Sequence, residues 1–160
     1  MENETVINLG CGPDYKEGAV NVDRKDWLKV DKVHDLNTYP YPFKDNTADK
    51  IYLLDVLEHL LEPEKAVAEA FRILKPNGIL MVRVPYIKSS VAWHSLEHRH
   101  RGGFTWHTFD EYDASTKIGK KLADAGYHKE RFRIVERHWL RGRYAFWDRR
   151  AITWTLQAIK

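Results

Sequence analysis

The sequence is poor in cysteine and in long apolar runs, and both shortages restrict the kind of protein it can encode. Cys11 is the one cysteine among 160 residues, so no internal disulfide can form, which fits a reducing compartment. No stretch approaches the roughly 18 apolar residues that a membrane-spanning helix needs. The acidic start, residues 1–4, also lacks the basic and apolar regions of a secretory signal peptide. We therefore expect a cytoplasmic protein without a transmembrane segment.

Repeats, low-complexity tracts and linkers are also missing, which predicts a single domain over residues 1–160. The hydrophobic content of 43% and the charged content of 31% are ordinary for a globular domain. Charge is unevenly distributed: residues 1–60 hold 7 Lys/Arg against 12 Asp/Glu, whereas residues 129–150 hold 8 against 3. The basic segment is compatible with contact to phosphate, to an anionic membrane or to an acidic substrate, and equally with a solvated surface.

Short β-rich runs alternate with helical patterns along most of the chain. The predicted strands are residues 5–9, 19–23, 32–36, 48–54, 79–84 and 131–140. The predicted helices are residues 63–74 and 116–125, and the aromatic tail, 143–160, is compatible with a strand or a helix. This alternation predicts an α/β fold, a mainly parallel sheet with helices on both faces.

Polar or glycine-rich residues follow several of the predicted strands directly. In parallel α/β sheets ligands bind beyond the carboxyl ends of the strands. Glycines after a strand allow the backbone to turn sharply and approach a ligand, and a carboxylate after the next strand can accept hydrogen bonds from a ribose diol. The residues at these positions are Gly10–Gly12, Asp23, Asp35, Asp55 and Tyr86.

An ordered series of motifs covers residues 5–86. It comprises Val6-Ile7-Asn8-Leu9-Gly10-Cys11-Gly12, Val20-Asn21-Val22-Asp23, Asp35-Leu36, Pro42-Phe43-Lys44-Asp45 with Asp49, Val56-Leu57-Glu58-His59, and Arg72-Ile73-Leu74-Lys75-Pro76-Asn77-Gly78. This series resembles the class I S-adenosylmethionine-dependent methyltransferases, in particular the short proteins of the "methyltransferase type 11" kind. The resemblance implies a Rossmann-like fold with S-adenosyl-L-methionine as the cofactor. It divides the chain into a cofactor half at about 1–86, an acceptor-side loop at about 87–107, and C-terminal strands and a helix at 108–160.

The resemblance also implies roles for individual residues. Gly10, Cys11 and Gly12 would pass under the methionine part of the cofactor, and Asp23 would hold the ribose hydroxyls. Asp35 and Leu36 would flank the adenine, and Leu54 and Asp55 would lie near the sulfonium. Glu58 and His59 are expected to cap and pack the following helix rather than to react.

Two positions depart from the family pattern. Asn8 stands where an acid is usual, so one cofactor contact or loop-bracing carboxylate is missing. Only eight residues separate Gly12 from Asn21, whereas a parallel crossover normally needs a dozen or more. We therefore expect a shortened first β-α-β unit in which residues 13–18 form an irregular loop.

The acceptor-side loop is unusually rich in histidine and tryptophan. Its candidate acceptor-binding residues are Tyr86, Trp93, His94, His98, Arg99 and His100. Three interpretations stay open: His94 or His98 is a general base for an oxygen acceptor; His94 and His98 bind a divalent metal with His100 or Glu97; or the cluster is a structural wall. The metal interpretation has the weakest support, because a third ligand is not established.

The predicted reaction is an in-line transfer of a methyl group to a small-molecule or saccharide acceptor. A nucleic-acid acceptor is less expected, because Leu54-Asp55-Val56-Leu57 stands where an Asn/Asp-Pro-Pro-aromatic motif would mark base methylation. The basic segment nevertheless interleaves arginines with aromatic residues that could stack on bases. A cofactor-binding subunit that needs a partner chain is the remaining alternative.

Overall fold

The computed structural model describes residues 4–26, 30–94, 103–140 and 151–160, without the side chains of Val91 and His94. Seven strands form one sheet in the order β3-β2-β1-β4-β5-β7-β6. The strands are β1 (Val6–Leu9), β2 (Ala19–Asp23), β3 (Lys32–Val33), β4 (Ala48–Leu54), β5 (Leu74–Pro85), β6 (Phe132–Leu140) and β7 (Ala151–Ala158). Strands β1 to β5 pair in parallel, and β7 is antiparallel to both β5 and β6. The prediction of a mainly parallel α/β sheet is confirmed.

The described residues contain three α-helices beside the sheet: α1 (Pro63–Ile73), α2 (Ser90–His94) and α3 (Lys117–Asp124). Helix α1 begins with Pro63 in its first turn, and Ala66, Val67, Ala70 and Ile73 form its buried side. Helix α3 begins after Thr116, whose hydroxyl accepts a hydrogen bond from the amide of Gly119. Single 3-10 turns follow β4 at Leu57–His59 and precede α3 at Asp110–Tyr112. No helix in the described part of the chain is long and apolar enough to span a membrane.

Strand β5 begins earlier than the sequence predicts. It starts at Leu74, directly after α1, because Leu74 pairs with Ala48 before the register shifts. The breaker residues that predicted a loop lie inside this irregular part, where Asn77 adopts a φ of +64°. The breakers therefore produce a bulge rather than an interruption of the strand.

The described part of the aromatic tail, residues 151–160, contains strand β7, which lies between β5 and the edge strand β6, and β6 carries a bulge. Ile152, Trp154, Leu156 and Ala158 alternate along β7 and are all buried. In β6 the register against β7 shifts between Ile134 and Glu136, so that Val135 is an extra residue.

The helices occupy one face of the sheet in the part of the chain that the structure describes. The β1-β2-β3 connections and the β4-β5-β6 connections run in opposite directions across the sheet, so right-handed crossovers place them on opposite faces. The second set contains α1, α2 and α3. In the first set, residues 13–18, 24–26 and 30–31 contain no helix, which confirms the shortened first unit. The expectation of helices on both faces is thus met on one face within these residues.

The two faces differ in burial accordingly. The helix-bearing face carries the core of β1, β4 and β5, whose members are Ile7, Leu9, Ile51, Leu53, Leu80, Val82 and Val84. On the opposite face Tyr52 and Met81 are half-buried. The ammonium groups of Lys16 and Lys50 lie 4.7 and 5.1 Å from the centre of the Tyr52 ring. Long side chains rather than a helix therefore cover this part of the sheet.

Candidate cofactor and acceptor site

The glycine turn after β1 folds over the end of β2. The amides of Gly10 and Cys11 both donate to the carbonyl of Val22, at 2.8 and 3.0 Å. Gly10 has a φ of +68°, and a Cβ there would lie 2.6 Å from Cγ2 of Val56. Gly12 has a φ of +47°, and its Cβ would meet nothing within 4 Å among the described atoms. Both glycines are required by backbone conformation, and Gly10 also by space.

Asp23 braces this turn from the end of β2. Its Oδ2 accepts a hydrogen bond from the amide of Gly12 at 2.9 Å, and its Oδ1 accepts one from the amide of Lys25 at 3.1 Å. A carboxylate at the end of the second strand is the kind of acceptor that hydrogen-bonds a ribose diol. The predicted cofactor residues Gly12 and Asp23 are thus in direct contact.

Two asparagines organise the loop that replaces the first helix. Asn21 is fully buried, and its Oδ1 accepts hydrogen bonds from Asn8 Nδ2 and from the amide of Lys16, both at 2.9 Å. Its Nδ2 donates to the carbonyls of Lys16 and Ala19, each at 3.0 Å. Asn8 also donates to the carbonyl of Asp14 at 3.0 Å. The amide of Asn8 therefore braces the loop at the position where the family has an acid.

The predicted adenine residues lie beyond β3, which is only two residues long. Asp35 is exposed, and its Oδ1 accepts a hydrogen bond from the amide of Asn37 at 2.9 Å. Leu36 is buried, and its Cδ1 would lie 3.5 Å from a Cβ at Gly10. The structure thus brings Leu36 against the glycine turn, whereas Asp35 lies at the solvent edge.

Asp55, at the tip of β4, has an unusual backbone and an ionic partner. Its φ is +58°, a conformation that costs energy in residues other than glycine and that concentrates at functional sites. Its Oδ2 accepts a hydrogen bond from Nε of Arg83 at 2.8 Å. The guanidinium of Arg83 also lies 4.0 Å from the Asp14 carboxylate, and the hydrogen bond with Asp55 raises the pKa of Arg83. Arg83 links three strand-end segments, and sequence reasoning missed it.

Glu58 is a buried acid just behind this ionic pair. It is 2% exposed, and its Oε2 has no hydrogen-bond partner among the residues that the structure describes. Burial, reinforced by the Asp55 carboxylate, raises the pKa of Glu58 to about 8. The side chain packs as expected but forms no cap of the Leu57–His59 turn. At neutral pH it is mostly an uncharged acid at the edge of the candidate site.

The strand tips fit S-adenosyl-L-methionine as the sequence implies. The Gly10–Gly12 turn leaves open space at Gly12, and the Asp23 carboxylate ends β2. Apolar Leu36 lies against the turn, and half-buried Leu54 ends β4. Cys11 is buried, and this burial, together with the nearby Asp23 carboxylate, raises the pKa of its thiol. The thiol therefore stays protonated and adds no charge beneath a cationic ligand.

Aromatic rings form the wall of the site beyond β5. Tyr86 packs edge-on against Trp139, with ring centroids 4.8 Å apart, and Trp106 stacks on Trp139 at 5.1 Å and an interplanar angle of 12°. Trp93 is 55% exposed, and its Nε1 donates to the carbonyl of Ile87 at 2.6 Å. The other predicted acceptor residues, His98, Arg99 and His100, lie outside the described residues, as does the side chain of His94.

A buried carboxylate organises the next layer of this wall. Asp110 is 8% exposed; its Oδ1 accepts from Arg137 at 2.8 Å and its Oδ2 lies 2.6 Å from Nδ1 of His107. Arg137 also donates to the carbonyl of Trp106 at 3.1 Å. Sequence reasoning missed this group; the signal that could have found part of it is the spacing of three between His107 and Asp110 in one turn.

A metal cluster is not found among the residues that the structure describes: no group of three or more His, Cys, Asp or Glu could hold an ion there. The histidines of the metal interpretation, His94, His98 and His100, fall outside what the structure describes of side chains.

Comparison with known proteins finds relatives of this chain among methyltransferases. Residues 7–82 match the family model described as "Methyltransferase domain". A probable S-adenosylmethionine-dependent methyltransferase of Mycolicibacterium smegmatis is 35% identical over 74 residues, which cover 46% of this chain and 28% of that protein. The alignment therefore spans well under half of that curated relative.

Solved structures share the fold at low sequence identity. The putative methyltransferase in its complex with the Trm112 methyltransferase activator of Haloferax volcanii superposes with a TM-score of 0.62 at 20% identity, covering 99% of this chain and 84% of that one. The N-methyltransferase NodS of Bradyrhizobium japonicum, in complex with S-adenosyl-L-homocysteine, gives a TM-score of 0.59 at 14% identity, covering 98% and 79%. Residues 7–82 therefore form a methyltransferase domain of the class I S-adenosylmethionine-dependent kind.

Proposed function

We propose that the chain binds S-adenosyl-L-methionine at the carboxyl edge of its sheet and transfers the methyl group to a small-molecule or saccharide acceptor. The observation that supports this most strongly is the glycine turn held directly by Asp23. When bound, the cofactor supplies an electrophilic methyl group on a sulfonium, which is already a good leaving group. The work left to the protein is mainly positioning, which contributes up to about 7–11 kcal/mol in well-oriented reactions.

The residues of the chain divide this work between them. Gly10, Cys11 and Gly12 provide the backbone surface for the methionine part, and Asp23 is the acceptor for the ribose hydroxyls. Leu36 and Asp35 flank the adenine. Leu54 and Asp55 lie at the sulfonium end, where Arg83 fixes the orientation of the Asp55 carboxylate.

The acceptor would approach from the 87–107 side. We assign its binding to Tyr86, Trp93, His94, His98, Arg99 and His100. His94 or His98 would remove a proton from an oxygen acceptor, with metal binding or a structural wall as the alternatives for these histidines. A cytoplasmic location, proposed from the single cysteine, agrees with a water-soluble acceptor.

Isothermal titration calorimetry with S-adenosyl-L-homocysteine tests the cofactor part of the proposal. The wild-type chain is expected to bind, and Asp23→Ala is expected to weaken binding by about 1–3 kcal/mol, the cost of an unmade polar contact. Asp26→Ala, which changes an exposed acid three residues away, is the matched control and is expected to bind as wild type. Failure of the folded wild-type chain to bind would contradict the proposal.

Methyl transfer itself can be followed with cofactor labelled in the methyl group. Fractionated small molecules, saccharides and RNA would be offered separately to the purified chain. Label in the first two fractions is the expected result. Label in RNA alone would show that the acceptor is a nucleic acid instead. Transfer that requires an added protein would favour the partner-dependent alternative.

A further inference from the structure

We propose that Trp139, Trp106 and Tyr86 form a stacking platform for a hydroxyl-bearing ring of the methyl acceptor, with His107 as the group that takes the hydroxyl proton. This inference rests on the proposed methyl transfer. It adds Trp139, Trp106 and His107 to the acceptor residues, gives the proton to His107 with His94 and His98 in the structural alternative, and names a more specific acceptor chemistry.

The position of Trp139 follows from the strand directions. Strands β5 and β6 are both antiparallel to β7, so they run in the same direction and end at the same edge of the sheet. Trp139 pairs with Ile152, and Ile152 pairs with Val84, two residues before Tyr86. The platform therefore lies at the edge where the glycine turn and Asp55 lie.

The exposure of Trp139 is the second observation. Trp154, on the neighbouring strand, is fully buried in the core, whereas Trp139 is 41% exposed although it has two aromatic neighbours. A large ring that keeps an accessible surface beside other rings offers a flat apolar surface to a ligand. Ring-shaped ligands suit this surface, because aromatic rings stack on it and sugar rings present flat C–H faces.

The Arg137 side chain fixes the position of Trp106. The Arg137 guanidinium lies 4.8 Å from the centre of the Trp106 ring and donates to the Trp106 carbonyl. Asp110 in turn holds Arg137. The platform is thus fixed before a ligand arrives, which lowers the entropic cost of binding.

His107 has the arrangement of a proton acceptor. Its Nδ1 lies 2.6 Å from Asp110 Oδ2, and an ionised carboxylate only accepts, so Nδ1 carries the hydrogen. In the neutral ring Nε2 then carries the lone pair, and the side chain is 71% exposed and accessible to a ligand. Asp110 acts through His107 and Arg137 and is a positioning residue.

The aromatic platform and the His107 imidazole together define the acceptor as a ring with a hydroxyl group. The acceptor oxygen forms a bond to the methyl carbon while the carbon–sulfur bond breaks and its electron pair stays on sulfur. The hydroxyl proton passes to Nε2 of His107 and from there to water. The products are a methyl ether and the neutral thioether.

Ring binding can be measured on the chain without cofactor by saturation-transfer NMR. The probes are p-cresol and methyl β-D-glucoside, the phenolic and the saccharide forms of the same chemistry, at millimolar concentration. Trp139→Ala is expected to weaken, roughly tenfold, the binding of whichever probe binds to the wild-type chain. Trp139→Phe should recover part of this affinity. Tyr127→Ala, which removes an aromatic residue that is 75% exposed in the turn after α3, is the control expected to bind as wild type.

Binding of p-cresol alone assigns a phenolic acceptor, and binding of the glucoside alone assigns a saccharide. Binding of neither probe, or equal binding by wild type and Trp139→Ala, would overturn the platform. Calorimetry with S-adenosyl-L-homocysteine on the same variants separates this failure from failure of the proposed function, because Trp139→Ala leaves the glycine turn unchanged.

His107 is tested by turnover with the bound probe. His107→Gln is expected to lower kcat by about a hundredfold and to remove the acid limb of its pH profile, while KM for the probe changes little. Asp110→Asn is expected to shift that limb rather than abolish it. An unchanged pH profile in His107→Gln, with the limb lost instead in His94→Ala or His98→Ala, would transfer the role to those residues.

Discussion

Asn8 and Asn21 lie side by side on adjacent parallel strands, and the Nδ2 of Asn8 donates to the Oδ1 of Asn21 at 2.9 Å. Both side chains are buried, and both also bond to the backbone of the 13–18 loop. In a longer β-α-β unit, a packed helix would stabilise this connection. Here two side-chain amides take over that task, so the order of the glycine turn depends on them.

Asn21→Ala is expected to lower the free energy of unfolding by about 2–4 kcal/mol, because it leaves the buried amide of Asn8 and several partly buried loop groups without partners. Urea unfolding measures this loss. Asn8→Ala removes two of these bonds and keeps the contacts of Asn21 with Lys16, so its loss should be the smaller of the two. Equal stability of Asn21→Ala and wild type would contradict the role of the amides.

Gly10→Ala tests whether Val56 closes the space under the turn. A φ of +68° and a distance of 2.6 Å to Val56 predict that Gly10→Ala lowers the free energy of unfolding by about 2–4 kcal/mol. This loss adds the cost of alanine in a left-handed conformation to the cost of overpacking the core. Gly12→Ala introduces only backbone strain, so its free energy of unfolding should fall by about 1–2 kcal/mol. Combining Gly10→Ala with Val56→Ala relieves the clash, so a double-mutant cycle should show a favourable coupling above about 0.5 kcal/mol. Strict additivity would place the strain elsewhere.

The raised pKa of Glu58 predicts that the stability of the folded chain falls as the pH rises. The folded chain holds its proton with a pKa of about 8, against 4.5 for an ordinary glutamate. The contribution of Glu58 to the free energy of unfolding is therefore full below about pH 4.5. It falls as the pH rises towards 8, by up to about 1.4 kcal/mol per pH unit, and then levels off. Glu58→Gln should flatten this slope in urea titrations between pH 5 and 8. The exposed residue Glu64 offers the control Glu64→Gln, and an identical slope in both variants would refute the assignment.

Asp55 allows its backbone conformation to be separated from its ion pair. Asp55→Asn keeps a side chain that tolerates positive φ and loses only a partly exposed ion pair, so the loss should be about 0–1 kcal/mol. Asp55→Ala adds the cost of a left-handed alanine, about 1–2 kcal/mol more. Thermal unfolding of the two variants side by side measures the difference. Equal losses would mean that the local backbone relaxes.

The proximity of the proposed cofactor residues could be predicted from sequence, because these residues belong to contiguous motifs at strand ends. Asp23 ends β2, Gly10–Gly12 and Leu36 come shortly after β1 and β3, and parallel strands bring their carboxyl ends to one edge. Local sequence order therefore predicted spatial order. The strand limits were less predictable: β5 starts at Leu74 because its pairing with Ala48 overrides the breakers at Pro76 and Gly78.

The acceptor side was less accessible because its contacts join distant segments. Arg83 reaches Asp55 across 28 positions, and Arg137 reaches Asp110 across 27. Nothing in the local pattern of β6 indicates that Trp139 faces Trp106. The tail was ambiguous for the same reason, since β7 obtains its partners β5 and β6 only through tertiary pairing.

The extra residue in β6 decides which side chains the edge strand presents to the interior. In an uninterrupted ladder, Glu136 and His138 would stand opposite the buried residues Trp154 and Ile152; with Val135 inserted, Arg137 and Trp139 occupy those places. If Val135 were instead paired in the ladder, an acid and an imidazole would turn towards the core and the tryptophan would turn away from Tyr86. The bulge at Val135 thus decides which face of the sheet carries Trp139.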